Sequence, residues 1–358
     1  MKLAFYAPMK SPDHPTPSGD RAIARLLLRA LAVAGAEARL VSTLRLLDLD
    51  GSAERQNDLI EKAGEEAEWL VESLAPSPPE AWLTYHCHYR APDLIGPVVS
   101  GTLGIPYLIV EPSISPKRRQ GLWSRFAAAS EAAIAHADCL LWTTERDRPA
   151  LEQAGHGSRM THLPAFLDPG DAVAPRPAGD PLRLLTVAMP RPGDKMESYR
   201  RLAAGLAQLD LEWELTVIGG GTGEAEAELA ALFAPFRAQV AMLGTLTDPA
   251  ILRLHMEQAD LMVWPGVGEG VGMVWLEAQA AGCPVVAEEG PAARAAIPET
   301  AGGILARPDD PTGFARAIRE AAENRAWLSK QAQAHIMAHH SLDAAATRLG
   351  GILAEVLR

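Results

Sequence analysis

Short runs of apolar residues alternate along the chain with longer segments in which apolar residues recur at helical spacing. In the first half, the strand-like runs lie at residues 3–7, 40–42, 82–85, 107–110 and 139–143. The longer segments at 21–33 and 53–74 carry the spacing of amphipathic helices. Strands that alternate with helices are typical of a parallel sheet covered on both faces, so we predict an α/β fold.

One segment without apolar periodicity interrupts this alternation at residues 168–180, DPGDAVAPRPAGD. Its density of Pro and Gly is typical of a linker. The alternation then resumes, with strand-like runs at residues 182–187, 214–218, 240–243, 261–264 and 284–287. We therefore predict two domains, residues 1–167 and 168–340, followed by a last helix at 341–358.

Composition narrows the class of protein. The 358 residues are 48% hydrophobic and 22% charged, which suits two globular domains with cores of their own. With 33 basic and 45 acidic residues the net charge is -12, which weighs against a nucleic-acid partner. Cys87, Cys139 and Cys283 lie far apart, so we expect neither a disulfide framework nor a cysteine-rich zinc site. The short apolar stretch at the amino terminus and the lack of an 18-residue apolar run predict a cytoplasmic location.

The first half contains one local basic cluster, formed by Lys117, Arg118, Arg119 and Arg125. It has two interpretations, a solvated loop or a contact with an acceptor phosphate or lipid headgroup. The second interpretation implies possible peripheral membrane contact through the first domain.

The segment at residues 264–287 carries the strongest chemical signal. A loop with glycines at every second position precedes a predicted helix, and such a loop lets an anion approach backbone N–H groups that lack an intrahelical partner. A diphosphate suits this turn. Within the apolar helix stands Glu277, whose carboxylate needs a partner because burying it alone is costly. A ribose diol, a salt bridge and simple exposure to solvent all remain open as explanations.

This segment resembles the signature of family 4 retaining glycosyltransferases, which have the GT-B fold. The resemblance rests on Glu269-x7-Glu277 within P-x3-E-G-x-G-x3-LEA-x-A-x-G-x-PVVA. Residues 184–195, LLTVAMPRPGDK, and 217–221, VIGGG, are similar to the family's basic loop and next glycine turn. The resemblance implies two Rossmann-like domains facing each other across a cleft. The first would bind the acceptor and carry the last helix, and the second would bind the donor.

The resemblance also implies roles for individual residues. Glu269, Arg191 and Lys195 would act in catalysis, the two cations on the diphosphate and Glu269 on the donor sugar. Glu277 would hold the ribose. The other implied binding positions are Gly219, Leu246, Gly270, Val271, Gly272, Met273 and Val274 in the second domain, and Gly19, His86 and Glu111 in the first.

Two positions depart from the family pattern. Ala188-Met189 replaces the usual Gly-Arg, and the arginine arrives two positions later as Arg191. Glu111 stands where many members have a histidine near the reacting carbon.

Other residues receive structural interpretations. We predict Trp264 and Trp275 in the core and the His339-His340 pair on the surface. His86 and His88 form no metal site without a third ligand.

The expected activity is transfer of a sugar, with retention, from a nucleotide diphosphate sugar to an unidentified glycan, lipid-linked or small-molecule acceptor. No metal or other cofactor is expected, because Arg191 and Lys195 can replace a cation. Two alternatives stay open: a sugar-nucleotide epimerase of the same fold, and a nucleotide-binding module without activity.

Overall fold

The computed structural model describes residues 1–16, 18–174, 180–298 and 302–358. The chain divides into two units. The first contains Met1–Ala165 and Leu342–Arg358, and the second contains Phe166–Ser341. Pro17 and residues 175–179 of the predicted linker lie outside the described residues.

The first unit is built around a parallel sheet. Its strands are β1 (Lys2–Tyr6), β2 (Glu37–Leu40), β3 (Ala81–Tyr85), β4 (Tyr107–Val110), β5 (Cys139–Trp142) and β6 (Met160–His162). Over the described residues they lie in the order β2-β1-β3-β4-β5-β6, and every neighbouring pair is parallel. The helices between them are α1 (Gly19–Val33), α2 (Ala53–Leu74), α3 (Gly96–Leu103), α4 (Ser124–His136) and α5 (Arg148–Gln153).

The second unit repeats this architecture. Its strands are β7 (Leu182–Val187), β8 (Trp213–Ile218), β9 (Val240–Met242), β10 (Leu261–Val263), β11 (Val285–Glu288) and β12 (Gly303–Ala306). In the described part of the unit, the order is β12-β11-β10-β7-β8-β9, again with parallel neighbours. The helices are α6 (Asp194–Leu206), α7 (Glu224–Phe233), α8 (Pro249–Gln258), α9 (Met273–Ala280), α10 (Pro291–Ala296), α11 (Pro311–Glu323) and α12 (Arg325–His335). The last helix, α13 (Leu342–Val356), belongs to the first unit, where it packs against α1.

Local sequence explains these elements. Strands β3 and β4 are buried along their whole length, which is why they read as continuous apolar runs rather than alternating ones. Helix α1 begins after Ser18, whose Oγ accepts a hydrogen bond from Arg21 N at 3.3 Å. Its buried residues recur at helical spacing and include Ala24, Leu27 and Leu31. These elements confirm the α/β prediction.

Both sheets contain a point where the strand order reverses. In the first unit this point lies between β1 and β3, and in the second between β7 and β10. The connections that follow the two strands run to opposite sides there and leave a crevice at the carboxyl ends, which is where ligands bind in open parallel sheets. A ligand site is therefore expected at the loops after β1, β3, β7 and β10.

The structure differs from the sequence-based predictions in two details. Strand β2 lies at Glu37–Leu40, earlier than residues 40–42, because it is an edge strand with half its side chains in solvent. His339 is exposed as predicted, but the surface prediction for His340 is wrong. A π-helical turn at Ile336–His340 precedes α13, and His340 is buried with its ring 5.0 Å from that of His335.

No helix in the described ranges is both long and apolar enough to cross a bilayer. Within those ranges, no group of three or more His, Cys, Asp or Glu side chains could hold a metal ion. The three cysteines are buried thiols that form no disulfide in the described structure.

Candidate functional site

The glycine loop after β10 is anchored on the first turns of α6. Val267 N donates a hydrogen bond to Ser198 Oγ at 2.9 Å. Gly268 lies so close to Asp194 that a Cβ at this position would stand 2.2 Å from the carboxylate Oδ2. Because β7 leads into α6, these contacts join the loops that follow β7 and β10 at the reversal point of the sheet.

Lys195 and Glu269 meet at this junction. Lys195 Nζ forms an ion pair with Glu269 Oε1, and the same oxygen accepts a hydrogen bond from Trp264 Nε1 at 2.9 Å. Lys195 Nζ also lies 5.3 Å from the centroid of the Trp264 ring, within cation–π range. In the part of the chain that the structure describes, Glu269 Oε2 has no such partner, so it remains free to accept a hydrogen bond from a ligand.

Both predicted core tryptophans are buried, which confirms that prediction. Trp264 packs edge to face on Tyr199, with ring centroids 5.0 Å apart. Trp275 lies beneath the glycine loop, and a Cβ on either Gly266 or Gly272 would stand 2.2 Å from its ring. Gly272 also has φ of +68° and forms the N-cap of α9. The loop needs glycine at these positions because the indole ring occupies the space of a side chain.

This loop presents a row of unpaired backbone donors. Among the described residues, no acceptor pairs with the N–H groups of residues 270–274. Gly270 has open space around its Cα, since a Cβ added there would meet no atom within 4 Å. Unpaired N–H groups at a helix start create a local positive potential, which suits an anion.

Glu277 lies one turn further along α9. Its side chain reaches the surface, and no described residue donates a hydrogen bond to it or forms an ion pair with it. Closely spaced neighbouring atoms desolvate the carboxylate and raise its pKa to about 7. The carboxylate has no partner in the described structure and is open to hydrogen-bond donors of a ligand.

The loops after β7 and β8 meet at Gly219, in the same unit. Gly219 N donates to Gly244 O at 2.8 Å, and Gly219 has φ of +144°. A Cβ on Gly219 would stand 2.0 Å from Ala188 O, so only glycine fits. Leu246 is half-buried in the loop after β9. Arg191 is exposed, and its Nη2 lies 3.4 Å from Met189 Sδ.

A cavity of about 240 Å³ opens beside the glycine loop. Residues 265–269 line one side, and residues 288–293 at the end of β11 line another. Arg201 reaches this cavity and is held by Glu288, with Nη1 and Oε2 2.8 Å apart. The cavity lies against Glu269 and can receive a polar group bound by that carboxylate.

A second cluster lies at the reversal point of the first sheet. His86 follows β3 and Asp20 lies in the first turn of α1, with His86 Nδ1 and Asp20 Oδ1 2.9 Å apart. Glu111 follows β4. His86 and Glu111 both have left-handed backbones, with φ of 61° and 58°. For side chains other than glycine this costs about 1–3 kcal/mol each, and such strain concentrates at functional positions.

The charges of this cluster are coupled. Burial alone would lower the pKa of His86, but the hydrogen bond to Asp20 and the charges of Glu111 and Asp20 raise it above its ordinary 6.5. Burial raises the pKa of Glu111 above 4.5, and the His86 charge opposes this shift. The arrangement favours a protonated imidazole next to Asp20. Gly19 immediately precedes this cluster, with open space around its Cα.

Residues 188–324 match a family model described as glycosyl transferases group 1. These residues include the Lys195–Glu269 pair, the unpaired N–H groups of residues 270–274, and Glu277. The second unit contains a group 1 glycosyltransferase domain.

Relatives of this glycosyltransferase domain extend the match. A D-inositol 3-phosphate glycosyltransferase of Geodermatophilus obscurus is 33% identical over 226 residues, which cover 57% of this chain and 50% of the relative. One of Acidothermus cellulolyticus is 27% identical over 284 residues, covering 71% of this chain and 63% of the relative. The chain thus spans about half the length of the first of these curated relatives. The matches confirm the resemblance to family 4 glycosyltransferases.

Solved structures show the same fold. The Anabaena protein Alr3699/HepE in complex with UDP superposes with a TM-score of 0.73 at 17% identity, covering 99% of this chain and 100% of that one. Sucrose-phosphate synthase from Thermosynechococcus elongatus superposes with a TM-score of 0.70 at 18% identity, covering 99% and 98%. The predicted fold class, GT-B with two Rossmann-like units, is confirmed.

Sequence reasoning missed several contacts that shape these clusters. Asp20 and His86 are 66 positions apart, and nothing in the local pattern pairs them. The sequence places Trp264 in the core alone, although its indole N–H binds Glu269. Ser198 lies within a helix whose apolar spacing gives no hint of its bond to the glycine loop.

Proposed function

We propose that this chain is a retaining glycosyltransferase that moves a sugar from a nucleotide diphosphate sugar to an acceptor hydroxyl. The observation that carries the proposal is the row of unpaired N–H groups at residues 270–274 beside the Lys195–Glu269 pair. These groups lie at the sheet reversal point, where a parallel sheet binds its ligand.

The donor is proposed to lie along this loop and α9. The ribose hydroxyls donate to Glu277, which has no other partner among the described residues. The diphosphate accepts from the N–H groups of residues 270–274, and Lys195 and Arg191 supply positive charge. The loops at Gly219 and Leu246 border the nucleotide. Glu269 Oε2 accepts a hydroxyl of the donor sugar, which occupies the cavity beside the loop.

These groups stabilise the charge that develops during the reaction. The bond between the anomeric carbon and the diphosphate oxygen breaks, and the acceptor oxygen bonds to the same carbon from the same face. The departing phosphate oxygen takes the acceptor proton. Negative charge grows on the diphosphate, and fixed cations and backbone N–H groups lower the barrier by stabilising it. Glu269 Oε1 is already engaged by Lys195 and Trp264, which disfavours Glu269 as a nucleophile.

The acceptor is proposed to contact the first-unit residues Gly19, His86 and Glu111. Glu111 would accept a hydroxyl hydrogen bond where many family members use a histidine. The chain is proposed to act in the cytoplasm and to need no bound metal. The HepE structures hold UDP and UDP-glucose, so a uridine nucleotide sugar is the first donor to test.

The experiment is a calorimetric titration of the chain with UDP-glucose, GDP-mannose and ADP-glucose. Turnover is then measured as the release of the nucleoside diphosphate. We expect one of these donors to bind at a single site and Glu277→Ala to weaken that binding. The matched control is Glu226→Ala, an exposed carboxylate on α7 of the same unit.

Two outcomes would contradict the proposal. An epimerised nucleotide sugar formed without acceptor would assign the chain to the epimerases. Binding that Glu226→Ala weakens as much as Glu277→Ala would remove the donor from α9.

A further inference from the structure

Two guanidinium groups of the first unit stack on the same pair of aromatic rings. The Cζ atom of Arg90 lies 5.5 Å from the ring centroids of both Tyr89 and Trp123. The Cζ atom of Arg118 lies 5.3 Å and 5.0 Å from the same two centroids. The rings themselves meet edge to face, 6.0 Å apart. The two cations therefore share one small surface.

Neither cation has an acidic partner among the residues that the structure describes. Over the described residues, the side chains of Arg90 and Arg118 form no ion pair and no hydrogen bond, and Arg90 Nε is buried without an acceptor. This is unusual in a chain with net charge -12, where carboxylates are abundant. Two like charges held close together without a counter-charge create a site for an anion.

Two other members of the predicted basic cluster, both arginines, behave differently. Arg119 Nε forms an ion pair with Glu131 Oε1 at 2.9 Å. Arg125 Nη1 donates to Asn57 Oδ1. Their hydrogen-bonding capacity is therefore partly used within the protein, so the structure separates Arg118 from these two arginines.

The loop that carries Trp123 is held in place by contacts with Gln56 and Gly51. Gln56 Nε2 donates to Leu122 O at 3.0 Å and to Asp48 Oδ2 at 2.8 Å. Gly51 packs beneath this loop, where a Cβ would stand 2.5 Å from Leu122 Cβ and 3.3 Å from Trp123 Cε2. Because the loop is fixed before any ligand arrives, little ordering cost remains on binding.

We propose that Arg90 and Arg118 bind a phosphate group of a ligand. Stacking engages the flat face of a guanidinium and leaves its N–H edge free, and that edge matches the geometry of a phosphate.

The proposed phosphate site lies near the His86 cluster of the same unit. His88 stands two residues before Arg90, and its ring lies 5.9 Å from that of His86. The site thus adjoins the Asp20–His86–Glu111 cluster. In the proposed function, the acceptor would carry its phosphate here and its reacting hydroxyl near His86. This placement of the acceptor rests on that function.

The test measures phosphate binding without any nucleotide sugar. Inorganic phosphate and glycerol 3-phosphate are titrated calorimetrically into the whole chain, and vesicles of phosphatidylglycerol in phosphatidylcholine are tested by co-sedimentation. We expect Arg90→Gln and Arg118→Gln each to weaken binding by about tenfold or more, since each removes charge-assisted hydrogen bonds. Arg119→Gln, on the same loop but paired with Glu131, should change it by less than about twofold.

The outcomes separate the sources of the phosphate. Saturable binding of glycerol 3-phosphate, lost in Arg118→Gln, supports a soluble phosphorylated ligand, and binding to anionic vesicles alone with the same loss supports a lipid headgroup. Equal losses in Arg118→Gln and Arg119→Gln, or no binding of any of the three probes, would overturn the proposal. Arg118→Lys keeps the charge and should still weaken binding several-fold, which guards against a folding artefact. Because no donor is present, the result does not depend on whether nucleotide sugars bind the second unit.

Discussion

Trp264 donates its indole hydrogen to Glu269 Oε1 at 2.9 Å, and the same oxygen is paired with Lys195. A buried aromatic side chain therefore sets the direction of the carboxylate that we place against the donor sugar. This makes Trp264 a positioning residue, because it acts through Glu269 and not through the substrate.

Trp264→Phe should lower the turnover of the nucleotide sugar by about 10- to 100-fold, since a hydrogen bond to a charged group is worth about 1.5–3 kcal/mol. A phenyl ring keeps an aromatic face for Lys195 but cannot donate to Glu269. The KM for the donor should change less than kcat. Trp213→Phe, a buried tryptophan at the start of β8, controls for lost ring volume. Equal losses in the two variants would show that packing alone matters.

Lys195→Ala should reduce turnover by at least about tenfold, or about 1.4 kcal/mol, because the departing diphosphate loses a fixed cation. Lys330→Ala removes an exposed lysine from α12 of the same unit and should leave turnover unchanged. Steady-state kinetics on both variants check this. Normal turnover in Lys195→Ala would place the diphosphate elsewhere.

Ionisation of Glu277 should lower the stability of the fold and strengthen the binding of the donor. Its pKa of about 7 exceeds the ordinary 4.5, so the folded state binds a proton more tightly than the unfolded state does. The free energy of unfolding therefore falls as pH rises from about 4.5 to 7. Without ligand, Glu277→Gln should melt at a higher temperature than the parent at about pH 8 and at the same temperature near pH 4.5.

The same group should make donor binding depend on pH. Only the ionised carboxylate accepts from both ribose hydroxyls, so affinity for the bound nucleotide sugar should rise with pH through about 7. In Glu277→Gln the affinity should be lower and this rise should disappear. Calorimetric titrations across the range measure both. A variant that retained the pH dependence would show that another group titrates.

Two glycines of the signature loop should respond differently to alanine. Gly270 has open space and an unstrained backbone, so Gly270→Ala should leave the melting temperature unchanged but weaken donor binding by crowding the diphosphate. Gly272→Ala should destabilise the fold by about 1–3 kcal/mol, because its Cβ would meet Trp275 and its φ is positive. Thermal melts and titrations separate the two effects. Unchanged donor affinity in Gly270→Ala would argue against contact at this point.

Asp20→Asn should lower the pKa of His86. The hydrogen bond to Asp20 and its charge raise that pKa, and burial, which lowers it, would remain. An NMR titration of the labelled imidazole, assigned with His86→Gln, measures the change. Asp13→Asn, an exposed neighbour, should have no effect. An unchanged pKa in Asp20→Asn would show that Glu111 and not Asp20 controls the histidine.

Much of the fold was predictable from periodicity. Helix α2 lies at Ala53–Leu74, as its apolar spacing predicts, and β4 is buried along the length that its apolar run predicts. The edge strand β2 was misplaced because a strand with one side in solvent has few apolar residues to mark it. His340 was misplaced because a π-helical turn, which has no apolar signature, directs it inward.

The sequence by itself determined the alternation of strands and helices, the glycine loop and the spacing of Glu269 and Glu277. These are local properties, set by burial on both sheet faces and by the backbone freedom that a tight loop requires. Only the tertiary structure decided which residues meet. Lys195 and Glu269 are 74 positions apart, and Arg90 and Arg118 are brought together by two aromatic rings. Pairing across such distances depends on strand order, which a one-dimensional pattern does not encode.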